Sequence, residues 1–339
     1  MLIEIADPSQ TGEARRKAVA YAEDLCMGAE VCGEIALATT EIATNVIKHA
    51  GKGHILLQRI GSNGDLGLRV MGVDHGPGIA DIPRALSDGH STAGSLGKGL
   101  GVIRRVSNSF DMYSAPGSGT VISAAFLTGK SNKAVTGASI EVGVISEPIA
   151  GETECGDGWG VRKYPNGMAL LVVDGLGHGI LAAEAAREAE QSLARSTEKS
   201  PQNMIQDVHG ALKKTRGAAA AIARIDTDER RLHYSGIGNI GGSIVSPGAS
   251  RGLTSHNGIL GHQIQRIQEF ALPWNENSIL VMHSDGLASR WSLANYPGIW
   301  SKHPSIIAAL LHRDFSRGRD DVTVLVAKAA SVSCAVAGV

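Results

Sequence analysis

Apolar residues recur at three- and four-residue intervals through about 12–27 and again through about 31–49, which predicts two amphipathic helices early in the chain. Short β-branched and aliphatic runs follow at HILLQRI (54–60) and LGLRVMGVD (66–74). A glycine-rich stretch occupies 76–101, with a helix expected near 99–108 and strands around 110–114 and 120–126. Helices first and a mostly antiparallel sheet afterwards is not the regular alternation of a doubly wound fold. TGKSNKAVTGA, near 128–138, is small, polar and aperiodic, and predicts a linker. Beyond it the pattern turns β-rich: IEVGVI, GWGVRKY, MALLVVD, AAAIARID, RRLHYSGI, SILVMHSD and DVTVLVAKA. Helical stretches at about 180–197 and 201–214 fall between the third and fourth of these runs. The expectation is two α/β (α+β) domains, 1–128 and 139–330, joined by a linker at 129–138 and ending in a frayed tail at 331–339.

Composition fits that division. A chain of 339 residues suits two domains at about 100–200 residues each. With 43% hydrophobic and 19% charged residues it can bury sizeable cores, and with 4% aromatics those cores must be aliphatic. A net charge of −1 supplies no field to recruit nucleic acid or anionic lipid, so neither is an expected partner. Cys26, Cys32, Cys155 and Cys334 form no CxxC pair and no zinc-finger spacing, which predicts reduced thiols. The first residues lack an apolar signal region, and no run approaches the ~20 apolar residues of a membrane span. A cytoplasmic protein is expected. Nothing in the sequence sets its oligomeric state.

The second helix carries Glu41, Asn45 and Lys48 on one face, beside an apolar stripe of Ile35, Ala38, Ile42 and Val46. A carboxylate and an amide at the edge of a buried stripe can hold a cation with its phosphates, and the carboxylate can instead serve as a base. MGVDHGPGI then puts Asp74 at a strand end, before Gly76 and Gly78. Such an aspartate can accept from an exocyclic amine while the glycines let backbone approach a flat ring. DGHSTAGSLGKGLGVIRR (88–105) brings Gly97, Gly99 and Gly101 to a helix start, where backbone amides suit phosphates. It is not the dinucleotide fingerprint, because no strand immediately precedes it.

These three motifs, in this order over about 5–128, resemble the GHKL (Bergerat) ATP-binding fold, and most closely its small RsbT/RsbW-type serine/threonine switch kinases. The resemblance implies a two-layer α/β sandwich that binds ATP with Mg2+. Asn45 would hold the Mg2+, Glu41 would be the catalytic base, and Asp74 would bind the adenine amine. Gly76, Gly78, Gly97, Gly99 and Gly101 would form the nucleotide-facing loops. Lys98 departs from the apolar residue expected there. No phosphoacceptor-histidine helix precedes the domain, which speaks against a sensor histidine kinase.

In the second half, Asp157 (GDGWG), Asp174 (VVDGLGHG), Asp285 (SDGL) and Asp320 with Asp321 (RDDVTV) each adjoin a β-run. Carboxylates gathered closely repel by ~1 kcal/mol per pair in water and several-fold more when partly buried, so such a cluster implies cations. Oxygen-only ligands favour Mg2+ or Mn2+, and two such ions can clamp a phosphoryl group for in-line attack. The order of these motifs over about 140–329 resembles the PPM family (protein phosphatase 2C-like), in its SpoIIE/RsbU/RsbX branch. The resemblance implies an α-β-β-α four-layer sandwich in which Asp157, Asp174, Asp285 and Asp320, with the Gly175 carbonyl, bind two metals. Asp321 would orient Asp320, and SGIGN (235–239) would lie near the active site. Cys155 lies two residues before Asp157, where a thiol can be a soft ligand or a buried spectator. His178 can be a proton donor or a packed helix-start residue. The substrate arginine of animal members has no clear counterpart.

The expected function is a bifunctional regulator. One domain would phosphorylate a serine or threonine of a STAS-type anti-sigma antagonist or stressosome protein, and the other would remove phosphate from the same or a related partner. An alternative is that the first domain binds ATP to sequester a sigma factor or activator, or to gate the phosphatase.

Overall fold

The computed structural model describes residues 1–61, 66–86, 99–128 and 140–330. The chain divides into two compact units, Met1–Ala134 and Val135–Val339. Among the described residues no helix is long and apolar enough to cross a membrane.

The first unit begins with β1 (Leu2–Ile5) and α1 (Pro8–Asp24), a four-residue strand and a helix started by an Asp7–Gln10 capping box with Pro8 in the first turn. Next come α2 (Ala29–Asn45), β2 (Gly53–Ile60), β3 (Gly67–Asp74), α3 (Ile82–Leu86), α4 (Gly99–Val106), β4 (Ser109–Ser114) and β5 (Thr120–Leu127). The strands form one antiparallel sheet in the order β1-β2-β3-β5-β4. Ile55 and Leu57 of β2, and Leu68 and Val70 of β3, alternate onto the face that packs on the helices. The stripe foreseen on α2 meets them: Ile35, Ala38, Ile42 and Val46 are all buried. The approach is close at Gly72 of β3, where a Cβ would lie 2.3 Å from Ile42 Cγ2. This unit is a helical layer on a sheet, as expected.

One local feature departs from the helix expected through residue 49. The α-helical bonding stops at Asn45, and Val46–Ala50 form a π-helical turn. Such a turn holds an extra residue and is frequent at functional sites.

The second unit contains β6 (Ile140–Glu147), β7 (Asp157–Tyr164), β8 (Gly167–Gly175), α5 (Ile180–Arg195), α6 (Pro201–Ala211), β9 (Ala218–Asp226) and β10 (Arg231–Ile237). It continues with β11 (Gly241–Ser246), β12 (Ala249–Leu253), β13 (Phe270–Pro273), β14 (Ile279–His283), α7 (Pro304–Phe315) and β15 (Val322–Ala329). Two five-stranded sheets result, β13-β10-β9-β8-β7 and β12-β11-β14-β15-β6. Alternation along β8 builds two cores from one strand. Met168, Leu170 and Val172 pack with Leu280, Met282 and Leu325 of the other sheet, while Ala169, Leu171 and Val173 pack under Ala186, Leu193 and Ile205 of α5 and α6. Helix α7 lies on β6 and β15. The layers therefore run α-β-β-α, the architecture expected.

Candidate active sites

In the first unit, Glu41 and Asn45 stand in the last turns of α2 and line a cavity of about 690 Å3 with Lys48, Asp74, Gly78, Arg84 and Thr120. Asp74 closes β3 and is 9% exposed. Its Oδ1 accepts from the Gly76 amide at 2.8 Å and the Thr120 amide at 3.1 Å, so the carboxylate is held in place by its own turn and by the neighbouring strand. Gly78 has φ +72, and a Cβ there would lie 2.0 Å from the Ala115 carbonyl oxygen. Both conformation and space demand glycine. Gly99 opens α4 against the α2 pair: a Cβ would sit 2.9 Å from Glu41 Oε2.

Two of the glycine expectations change. Gly76 packs on Ala50 beside Asp74 and is not among the residues that line the cavity. Gly101 is buried inside α4 rather than placed in a loop, because helical bonding already begins at Gly99. Gly97 and Lys98 fall outside the described residues. Thr120, next to Asp74 through its amide, was not singled out by sequence; only the register of β3 with β5 pairs the two.

In the second unit, the aspartates come from one end of both sheets. Asp157 opens β7 and Asp174 stands one residue from the end of β8, directly opposite it in the antiparallel register. Asp285 follows β14 by two residues, and Asp320 and Asp321 immediately precede β15. Ser284 ties the sheets together, donating to Asp157 Oδ2 at 2.5 Å and accepting from the Thr323 amide at 2.9 Å. Gly175 is required where it is, since a Cβ would meet the Ala182 carbonyl oxygen at 2.4 Å. Asn239 Nδ2 donates to Asp285 Oδ2 at 2.8 Å and reaches Asp174 Oδ2 at 3.5 Å. The SGIGN segment thus reaches the cluster through its last residue, which sequence reasoning left without a role.

The two neighbouring aspartates of the last motif differ. Asp321 is buried, with Oδ1 accepting from the Ile149 amide at 2.7 Å and Oδ2 from the Gly156 amide at 2.8 Å. Both its oxygens are used in bracing the loop before Asp157. Asp320 is exposed, and among the described residues its Oδ1 accepts only from the Asp321 amide, at 2.9 Å.

Burial, then Asp285 and Asp320, raise the Asp174 carboxyl to about 7. Burial and Asp174 hold Asp157 well above the usual carboxylate range. These are acids under mutual repulsion, a state that divalent cations relieve. Among the described residues, no three acidic, thiol or imidazole groups converge tightly enough to enclose a cation alone. Spaced oxygen donors of this kind fit hard cations that keep several waters, rather than a closed protein cage. Cys155 is half-buried with its Sγ 3.6 Å from Ser146 Oγ, and burial, then Asp157, push its thiol up to about 12. His178 is exposed, with Nδ1 2.7 Å from Glu152 Oε1.

Residues 5–126 match the family profile of the histidine kinase-like ATPase domain, and residues 164–330 match that of stage II sporulation protein E. The serine/threonine-protein kinase RsbT of Bacillus subtilis (strain 168) is 38% identical over 111 residues, which cover 33% of this chain and 84% of the kinase. The phosphoserine phosphatase RsbX of the same organism is 28% identical over 138 residues, covering 40% of this chain and 69% of the phosphatase. A solved chain described under the bacterial stressosome, a modular system adapted to control secondary messenger signaling, shares 30% identity and a TM-score of 0.53. That match covers 56% of this chain and 100% of the solved one.

The protein is therefore a fusion of a histidine kinase-like ATPase domain with a SpoIIE/PPM-type phosphatase domain. It belongs to the RsbT family through its first unit, and carries a SpoIIE/RsbX-type phosphatase domain as its second.

Proposed function

We propose that this chain sets the phosphorylation level of a protein partner by carrying both opposing activities. The first unit transfers the γ-phosphate of ATP to a serine or threonine of a STAS-type regulator, and the second removes it. The observation that carries this reading is the pairing, on one chain, of a nucleotide-sized cavity holding Glu41 and Asn45 with an acidic cluster holding Asp157 and Asp174.

In the first unit Glu41 takes the proton of the incoming hydroxyl, and Asn45 would hold the Mg2+ that accompanies ATP. Asp74 accepts from the adenine amine, its orientation fixed by the Gly76 and Thr120 amides. Gly78 lets its turn lie against the Ala115 carbonyl, and Gly99 leaves the Glu41 carboxylate free of a side chain at the start of α4. In the second unit Asp157, Asp174, Asp285 and Asp320, with the Gly175 carbonyl, would hold two Mg2+ or Mn2+. Bound there, these ions supply positive charge to the phosphoryl oxygens and lower the pKa of the attacking water. Asn239 keeps Asp174 and Asp285 oriented, Ser284 orients Asp157, and Asp321 anchors the loop that carries it.

The test uses the full chain, radiolabelled ATP with Mg2+, and a STAS-domain protein from the same source. Label should pass to that protein, and Glu41→Ala should stop the transfer. Added Mn2+ should release the label as phosphate, and chelation or Asp174→Asn should prevent release. ATP binding without any labelling would replace the kinase reading with a sequestering or gating module. Full phosphate release by Asp174→Asn would overturn the phosphatase centre.

A further inference from the structure

Large apolar side chains left exposed in the second unit gather at one place. Leu176 (38%), Ile180 (64%), Leu181 (47%) and Ile259 (37%) surround the loop that follows Asp174, and only Trp159 lies apart from them among the described residues. The grouping is fixed by contacts. The Leu176 amide donates to the Gly217 carbonyl at 3.1 Å, and a Cβ on Gly217 would lie 2.9 Å from Ile259 Cγ2. Ile180 and Leu181 line one cavity of about 430 Å3 together with Arg216. Contiguous apolar surface of this kind marks a contact site more often than a solvated face.

Arg216 stands in the middle of the patch. It is exposed, and among the described residues its guanidinium makes no hydrogen bond or ion pair. Its backbone is held, with its carbonyl oxygen 2.9 Å from His262 Nε2. Gly177, at φ +81, leaves the guanidinium room: a Cβ there would lie 3.4 Å from Arg216 Nη1. The last pair of the β8–β9 ladder is Gly175 with Ala218, so Arg216 sits two residues past the end that presents Asp174. Two residues of chain span at most about 7 Å, within reach of an arginine side chain. The other polar side chains of the cavity, Glu152 and His178, are engaged with one another at 2.7 Å.

We propose that this face seats the phosphorylated segment of a protein substrate. Arg216 takes the outer oxygens of the phosphoryl group, and Leu176, Ile180, Leu181 and Ile259 cover apolar residues that flank the phosphoserine or phosphothreonine. The choice of occupant rests on charge: a phosphoryl group brings about −1.5 to −2 at neutral pH, and an unpaired guanidinium matches its oxygens in a bidentate fork. The inference builds on the phosphatase reading of the aspartate cluster and assigns the determinant of substrate choice beside it.

The experiment measures steady-state hydrolysis by the full chain with Mn2+ of three probes: p-nitrophenyl phosphate, a phosphoserine peptide flanked by leucines, and the same peptide flanked by serines. Binding of a non-hydrolysable difluorophosphonate version of the leucine peptide is followed by fluorescence anisotropy. Arg216→Ala should raise KM about tenfold for all three probes with a much smaller change in kcat, and Arg216→Lys should recover part of the loss. Ile180→Ser with Leu181→Ser should raise KM for the leucine peptide about tenfold relative to p-nitrophenyl phosphate, and should weaken the phosphonate peptide in proportion. Unchanged KM values in the arginine variants, or equal KM shifts for the two peptides in the paired serine variant, would overturn the proposal. So would a change of oligomeric state in that variant with its KM values intact, which would assign the patch to a second copy. Absence of turnover in the wild type with the phosphonate peptide still bound would instead defeat the phosphatase reading.

Discussion

Asp157 and Asp174 face each other as a directly opposed pair across the β7–β8 ladder. Two carboxylates at that separation are an unfavourable arrangement in a partly buried site, and the fold imposes it through strand register. The consequence is a measurable link between metal, pH and stability.

In the metal-free protein, Asp174 titrates near 7, against an ordinary carboxylate value of 3.8 in the unfolded chain. Between those values the native state binds more protons than the unfolded state, so stability falls as pH rises from about 4 to 7 and then levels off. Asp157, shifted in the same direction, adds to the slope. Thermal unfolding in chelator should therefore give a lower midpoint at pH 7.5 than at pH 5, by about 2 kcal/mol in stability. Saturating Mn2+ should abolish the difference, and Asp174→Asn should abolish most of it without metal.

Asp320 and Asp321 should separate by the kind of damage their loss causes. Asp321→Ala removes the acceptor of the Ile149 and Gly156 amides and should cost about 2–4 kcal/mol of stability. Asp320→Ala removes an exposed carboxylate and should leave the unfolding midpoint nearly unchanged while weakening Mn2+ binding at least tenfold. Calorimetric titration of metal alongside denaturant unfolding distinguishes the two.

Asn239→Ala should lower metal affinity about 10- to 100-fold, the usual penalty for losing a group that orients metal ligands. Activity should return partly at high Mn2+. A variant that keeps full activity at low Mn2+ would show that the hydrogen bonds to Asp174 and Asp285 do not position them.

Gly78→Ala combines a left-handed φ with a 2.0 Å approach to the Ala115 carbonyl. The expected cost is about 1–3 kcal/mol to the first unit, together with loss of ATP-analogue binding. Unfolding and nucleotide titration of the same preparation check both effects, and phosphatase turnover provides a reference for the second unit.

The parts of this molecule that were readable from the sequence share a cause. The α2 stripe and the strand-end aspartates sit in segments whose local pattern is decided by their own burial, so period and punctuation reveal them. Helix α7 escaped notice because PSIIAALLHRDF buries eight successive residues from Pro304 to Leu311, leaving no polar face to show a helical period. Strand β1 is four residues long, and β11 and β12 are rich in glycine and serine. At the sites, Asn239 and Thr120 acquire their meaning only from pairing between segments far apart in sequence. No local signal distinguishes an asparagine after a small-residue strand from any other loop asparagine.

The π-helical turn Val46–Ala50 sets how the end of α2 addresses the cavity that holds Glu41 and Asn45. A π turn is an α-helix carrying one surplus residue, so deletion of a single residue within it would heal the helix and leave its hydrogen bonding complete. Each residue of an α-helix subtends about 100°, and Lys48 and His49, which now line the cavity, would swing by that amount to another side of the helix. Such a protein would fold with its Glu41–Asn45 pair in place and the following basic residues turned away. Deleting one residue of this five-residue turn should therefore leave the unfolding midpoint of the first unit nearly unchanged while weakening binding of an ATP analogue.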